Sequence, residues 1–154
     1  YREEIQMDFE YLPKQDAIPP FDPHAIAVKY LEYDCSYGEE EITEELIAQL
    51  LQEIPSGIEL TLYLDPDGED DMMEVLCDGS WLALGFSHDF GQENFYCCNP
   101  AFAGSPERSP LLSGGQSPVL KENAIQDLEA GVRAVEYFIR TGQLYPGIDW
   151  VKQL

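Results

Sequence analysis

Residues 58–86 read IELTLYL, DPDGEDD, MMEVLC, DGS and WLALGF in succession, and this stretch decides the fold. Ile58 to Leu64 alternates apolar and polar side chains, the period of a strand with one buried face. Asp65-Pro66-Asp67-Gly68 has the chemistry of a turn. Met72 to Cys77 is expected as a second strand, and Asp78-Gly79 is a strong tight-turn signal. Trp81 to Phe86 is nearly all apolar and is expected in the middle of a sheet. Phe95 to Cys98 (FYCC) is a fourth strand. Four short strands joined by turns predict an antiparallel meander.

Working outward, Ala25 to Tyr33 (AIAVKYLEY) is rich in β-branched and aromatic residues and is expected as another strand. Residues 1–23 carry three closely spaced prolines, Pro19, Pro20 and Pro23, and are expected as an irregular lead-in. Met7 is a candidate original start, which would make residues 1–6 non-native. Glu39 to Ile54 reads as a helix, with Thr43 as N-cap and Glu44 and Glu45 in its first turn. Ile42 and Ile47 have the spacing of a hydrophobic staple, and Leu46, Ile47, Leu50, Leu51 and Ile54 form one apolar stripe. Downstream, 99–116 reads as a proline- and glycine-rich loop, with Val119 and Leu120 closing it as an edge strand. Asn123 to Arg140 is the clearest helix, capped by Asn123 and ended by Thr141-Gly142. The expected class is α+β: an antiparallel β-sheet meander with a long C-terminal helix and a shorter N-terminal helix packed against it. No repeat or linker divides 1–154, so a single domain is expected.

Charge is the strongest functional signal. Acids outnumber bases 30 to 8, a formal net charge of -22. Acidic disordered tails lack aromatics, whereas this chain has nine Tyr and seven Phe, so the acidity belongs to a folded body. Such a field repels nucleic acid and anionic membranes and attracts basic partners. Solubility, or a halophilic source, is the plain alternative. No apolar run is long enough for a membrane span, no signal peptide is visible, and adjacent Cys97 and Cys98 do not suit a disulfide framework. A cytoplasmic location with reduced thiols is expected.

Catalytic and metal signatures are weak. His24 and His88 lie in no nucleophile context with Cys35, Cys77, Cys97 or Cys98. A zinc site from Cys77, His88, Cys97 and Cys98 lacks the usual paired-cysteine spacing, and strand periodicity turns Cys97 and Cys98 to opposite faces. The acidic run from Asp65 to Glu74 resembles a calcium loop, but its glycine stands fourth rather than sixth and strands flank it. No phosphate-cradling loop or basic patch is present. The expectation is no catalytic residue, no metal and no cofactor.

The acids fall in groups: Glu39, Glu40, Glu41, Glu44 and Glu45 at the first helix; Asp65, Asp67, Glu69, Asp70 and Asp71 at a hairpin tip; and Asp89 and Glu93 after the apolar strand. Charge runs are usually solvated faces. Loops at one end of a sheet converge, however, and the interleaved aromatics Tyr37, Phe90, Tyr96 and Phe102 could anchor an interface. The expected partner-binding residues are Asp65, Asp67, Glu69, Asp70, Asp71, Asp89, Phe90, Glu93 and Tyr96.

The segment Ala134 to Gly142 (AVEYFIRTG), followed by Pro146, Ile148 and Trp150, resembles the end of the Imm1 family of bacterial immunity proteins. The pattern is a strand, a helix ending in an aromatic and Thr-Gly, then Pro, an aliphatic residue and Trp. It is pointed over Val119 to Trp150 and architectural over Ala25 to Cys98; the long 99–116 loop and one extra residue before Pro146 depart from it. Phe138, Thr141, Gly142, Pro146 and Trp150 are expected to be structural, with Gly142 ending the helix and Trp150 packing back on it. The resemblance implies an inhibitor, not an enzyme. It would bind a cognate toxin domain one to one, in the first place a cytosine deaminase acting on DNA or RNA, otherwise a nuclease. A nucleic-acid-cleaving or -editing toxin needs a basic substrate channel, which an acidic surface could block. The alternatives are a small enzyme using His88 with an acid, or a general acidic module for basic partners.

Overall fold

The computed structural model describes residues 9–154. The expectations for Met7 and for the lead-in over residues 1–8 lie outside these residues. Ten strands and two α-helices follow in the order β1 (Phe9–Leu12), β2 (Tyr30–Glu32), β3 (Ser36–Gly38), α1 (Glu44–Glu53), β4 (Ile58–Tyr63), β5 (Met72–Cys77), β6 (Leu82–His88), β7 (Glu93–Cys97), β8 (Arg108–Ser113), β9 (Ser117–Leu120), α2 (Leu128–Thr141) and β10 (Trp150–Gln153). The class is α+β. Eight strands form one antiparallel sheet in the order β1-β10-β7-β6-β5-β4-β2-β3, and β8 and β9 form a separate hairpin.

The meander is present as β4 to β7, with Leu62 opposite Met73 and Met73 opposite Phe86. Alternation sorts its side chains. Leu60, Leu62, Met73, Val75, Leu84 and Phe86 point to one face and are buried there under both helices. Phe138 of α2 is fully buried and meets Phe86 edge-on at 5.4 Å between ring centroids. Burying a side chain of that size contributes roughly 2–3 kcal/mol. The other face carries a smaller core, Leu76 and Ala83, covered by Leu111 and Ala124 beneath the β8–β9 hairpin.

Several elements differ from the sequence reading. Within 25–33 only Tyr30–Glu32 is a strand, because the Ala27 N–H goes to Ile139 O at the end of α2 instead of to a strand. Glu39–Glu41 is a separate 3-10 turn, and α1 begins after Thr43, whose hydroxyl accepts from Leu46 N–H as expected for the cap. The 99–116 loop contains β8, and Val119 and Leu120 pair with it rather than with the main sheet; Gly114 and Gly115, at φ 61° and 76°, make the tip. Helix α2 starts at Leu128 with Asp127 as cap, whereas Asn123 donates from its side chain to Cys97 O. Ile125 bridges to Leu82 instead of joining the helix. The helical spacing of Ile125 was therefore coincident with a strand-like contact. Finally, the lead-in contributes β1, and the tail contributes β10, which inserts between β1 and β7.

The residues of the motif at the end of α2 are held by backbone and core contacts. Gly142 adopts φ 73° and its N–H closes the helix on Phe138 O at 2.8 Å. Thr141 Oγ1 donates to Tyr137 O at 2.7 Å. Pro146 O accepts from Gln15 N–H at 2.7 Å. Trp150 is buried in the main core with α2, and its indole N–H donates to Tyr145 O at 2.8 Å.

Candidate functional site

The β4–β5 turn is organised by one aspartate. Asp65 accepts the N–H groups of Glu69 and Asp70, each at 2.9 Å, so its carboxylate closes the turn on itself. Burial pushes the Asp65 pKa up, but these backbone donors outweigh it and hold the carboxyl below its ordinary range. Gly68, at φ 68°, lies so close to the Tyr30 ring that a Cβ would come within 2.7 Å of it. The tip is thereby seated on the sheet rather than waving free.

The β6–β7 turn is held by the β4–β5 turn. Asp89 and Phe90 both adopt left-handed backbone, φ 54° and 55°, followed by Gly91 at 83°. Such a conformation costs a non-glycine residue about 1–2 kcal/mol. Two carboxylates stabilise it: Asp71 Oδ1 accepts from Asp89 N–H at 2.9 Å, and Asp70 Oδ1 from Phe90 N–H at 2.7 Å. The Phe90 side chain is left 71% exposed. In the two turns Asp67, Glu69 and Asp89 are exposed and make no side-chain hydrogen bond or ion pair among the described residues.

Behind this loop is a pocket of about 460 Å³, with Leu64, Phe86, Phe95 and Leu144 as apolar walls and Asp71, His88 and Glu93 as polar groups. His88 stacks on Phe86. Its Nδ1, shielded from water, lies 2.9 Å from Asp71 Oδ1 but out of line for a hydrogen bond, and its Nε2 lies 3.8 Å from Glu93. Lys152 Nζ sits 2.9 Å from Glu93 Oε2; that contact holds the Glu93 carboxyl below its ordinary range and raises Lys152.

The structure thus brings Asp65, Asp67, Glu69, Asp70, Asp71, Asp89, Phe90 and Glu93 to one end of the sheet. The group Glu39 to Glu41 is at the same end, because Gly38 pairs with Tyr30 and Tyr30 with Tyr63. Tyr96 is elsewhere. It lies opposite Gly85 and Val151 on the far face of the sheet, half-buried, as register alternation from Glu93 requires. Lys152 and the Gly142–Leu144 exit of α2 belong to the site and were missed. Lys152 stands in WVKQ, two apolar residues followed by two polar ones, which carries no strand alternation to read.

The other sequence candidates separate. Cys77 is at the opposite end of β5 from the turn that meets His88, and Cys97 is buried in the core. Cys98 faces away from it, beside Phe9 and Val151. Among the described residues no helix is long and apolar enough to cross a membrane. No family model matches this sequence, and no curated protein matches it.

Proposed function

We propose that this chain is an immunity-type inhibitor that binds a basic, nucleic-acid-targeting toxin domain and covers its substrate channel with the acidic end of the sheet. The toxin is in the first place a cytosine deaminase acting on DNA or RNA, otherwise a nuclease, and the complex is one to one in the bacterial cytoplasm. The observation that carries this reading is the Phe90 loop: an exposed aromatic held in strained backbone by Asp70 and Asp71, at the same end of the sheet as the exposed acids Asp67, Glu69 and Asp89. A rigid aromatic anchor within a charged rim is the anatomy of an interface hot spot. The acids speed encounter with a basic partner, and the anchor slows its departure.

A second reading has one observation in its favour. His88 lies between Asp71 and Glu93 in a ligand-sized pocket, the arrangement of a general acid–base group. Among the described residues, no serine, threonine or cysteine lines that pocket. The test is to titrate this protein into the toxin domain encoded beside its gene and assay activity on single- and double-stranded DNA and on RNA. Complete inhibition at one equivalent is expected. No inhibition by folded protein would overturn the reading for that pair, and equal binding to unrelated basic proteins would replace it with a general acidic module.

A further inference from the structure

The pocket near the Phe90 loop differs from a run of surface acids in that it has walls and a cation, Lys152, paired with one of its carboxylates. Its apolar sides, Leu64, Phe95 and Leu144, are capped by two carboxylates, Asp71 and Glu93. The Lys152 ammonium lies 2.9 Å from Glu93 and 5.7 Å from the Phe95 ring centre. The Glu93–Phe95 wall therefore holds positive charge in two ways at once, through a carboxylate and through an aromatic face.

We infer that this pocket is the receptor for one arginine side chain of the partner, its stem against Leu64 and Leu144 and its guanidinium against Phe95, paired with Glu93. The inference rests on the reading that this end of the sheet meets a basic partner. Arginine fits better than lysine for a geometric reason. A planar guanidinium can lie on the Phe95 ring and still donate along one edge to Glu93, whereas an ammonium is compact and strongly hydrated. The arginine would displace Lys152 from Glu93, so Lys152 acts as an internal competitor.

The test uses the full chain and the peptide acetyl-Ala-Arg-Ala-amide, followed by NMR to millimolar concentration, beside the same peptide carrying citrulline or lysine. Saturable shifts centred on His88, Phe95 and Lys152 are expected with arginine. Citrulline, which keeps the shape and loses the charge, should bind at least about tenfold more weakly. Glu93→Gln should weaken arginine binding by a similar factor. Lys152→Met should strengthen it about threefold by removing the competitor. Equal binding of arginine and citrulline, shifts centred on Glu39 to Glu41, or no gain in Lys152→Met would overturn the inference. The two proposals fail separately. A seated arginine peptide without toxin inhibition removes the immunity reading and leaves the site; toxin inhibition without a seated peptide does the reverse.

Discussion

The carboxylate of Asp70 accepts the backbone N–H of Phe90 at 2.7 Å, so an acid of one turn fixes the exposed aromatic of the next. This divides the acidic cluster by role. Asp65, Asp70 and Asp71 are engaged by N–H groups and shape the loops. Asp67, Glu69 and Asp89 project to solvent and make the field.

Truncating the anchor should therefore affect the complex and not the free protein. Phe90→Ala removes a side chain that is 71% exposed, so the melting temperature is expected to stay unchanged. Dissociation of the toxin complex should accelerate at least about thirtyfold, the effect of a hot spot worth about 2 kcal/mol. Surface plasmon resonance reads it directly. An unchanged off-rate would place the interface elsewhere.

Charge reversal should act on the other rate constant. The double variant Asp67→Lys and Asp89→Lys is expected to slow association about tenfold at low salt, with the difference shrinking as ionic strength rises. Asp70→Ala should behave differently. It leaves the Phe90 N–H without its acceptor and weakens the complex mainly through faster dissociation. Stopped-flow association at two salt concentrations separates the cases.

These roles explain how much of the site was legible. The grouping of the acids and the nomination of Phe90 follow from turn chemistry that the sequence carries locally. Tyr96 is an interleaved aromatic in the sequence but stands apart from Glu93 in the fold, because a strand turns residues an odd number apart to opposite faces. The same limit applies to the fold. The meander was readable because hairpins pair neighbours in sequence. The insertion of β10 beside β7 was not, because Trp150 meets Cys97 across more than fifty intervening residues and short strands such as β1 carry little pattern of their own. Asp127 rather than Asn123 caps α2 because Leu82 claims Ile125 for the sheet, a contact that no local rule encodes.

The link between the two helices is asymmetric. Arg140 reaches from α2 to both oxygens of Glu44 at 2.7 and 2.8 Å. Its side chain is 6% exposed against 52% for Glu44. Arg140→Met leaves an acid that water can solvate, whereas Glu44→Ala leaves a buried guanidinium without its counter-ion. The second variant should therefore melt at the lower temperature. The hydrogen bond from Arg140 holds the Glu44 carboxyl below the ordinary value of 4.5. A depressed acid contributes stability that is present above that value and lost as pH falls through its folded pKa. The gap in melting temperature between wild type and Glu44→Gln should be constant at neutral pH and close below about pH 4. A constant gap down to pH 3 would show that the pair does not stabilise the fold through charge.

Gly131 tests packing against propensity. It stands inside α2, where replacing glycine by alanine ordinarily stabilises a helix by up to about 1 kcal/mol. Here a Cβ would lie 2.6 Å from Leu82 Cδ1 and 3.2 Å from its Cγ. Leu82 has no freedom to yield: it is fully buried, and its backbone is bonded in both directions to Ile125. Relief would require α2 to move off β6, which would open the contact between Phe138 and Phe86 as well. Overpacking of this kind costs about 1–3 kcal/mol, more than the helix gains. Gly131→Ala is therefore expected to be net destabilising by about 1 kcal/mol in urea unfolding, with the slope unchanged. A stabilised variant would mean that the α2–β6 spacing is looser than the Gly131–Leu82 contact implies.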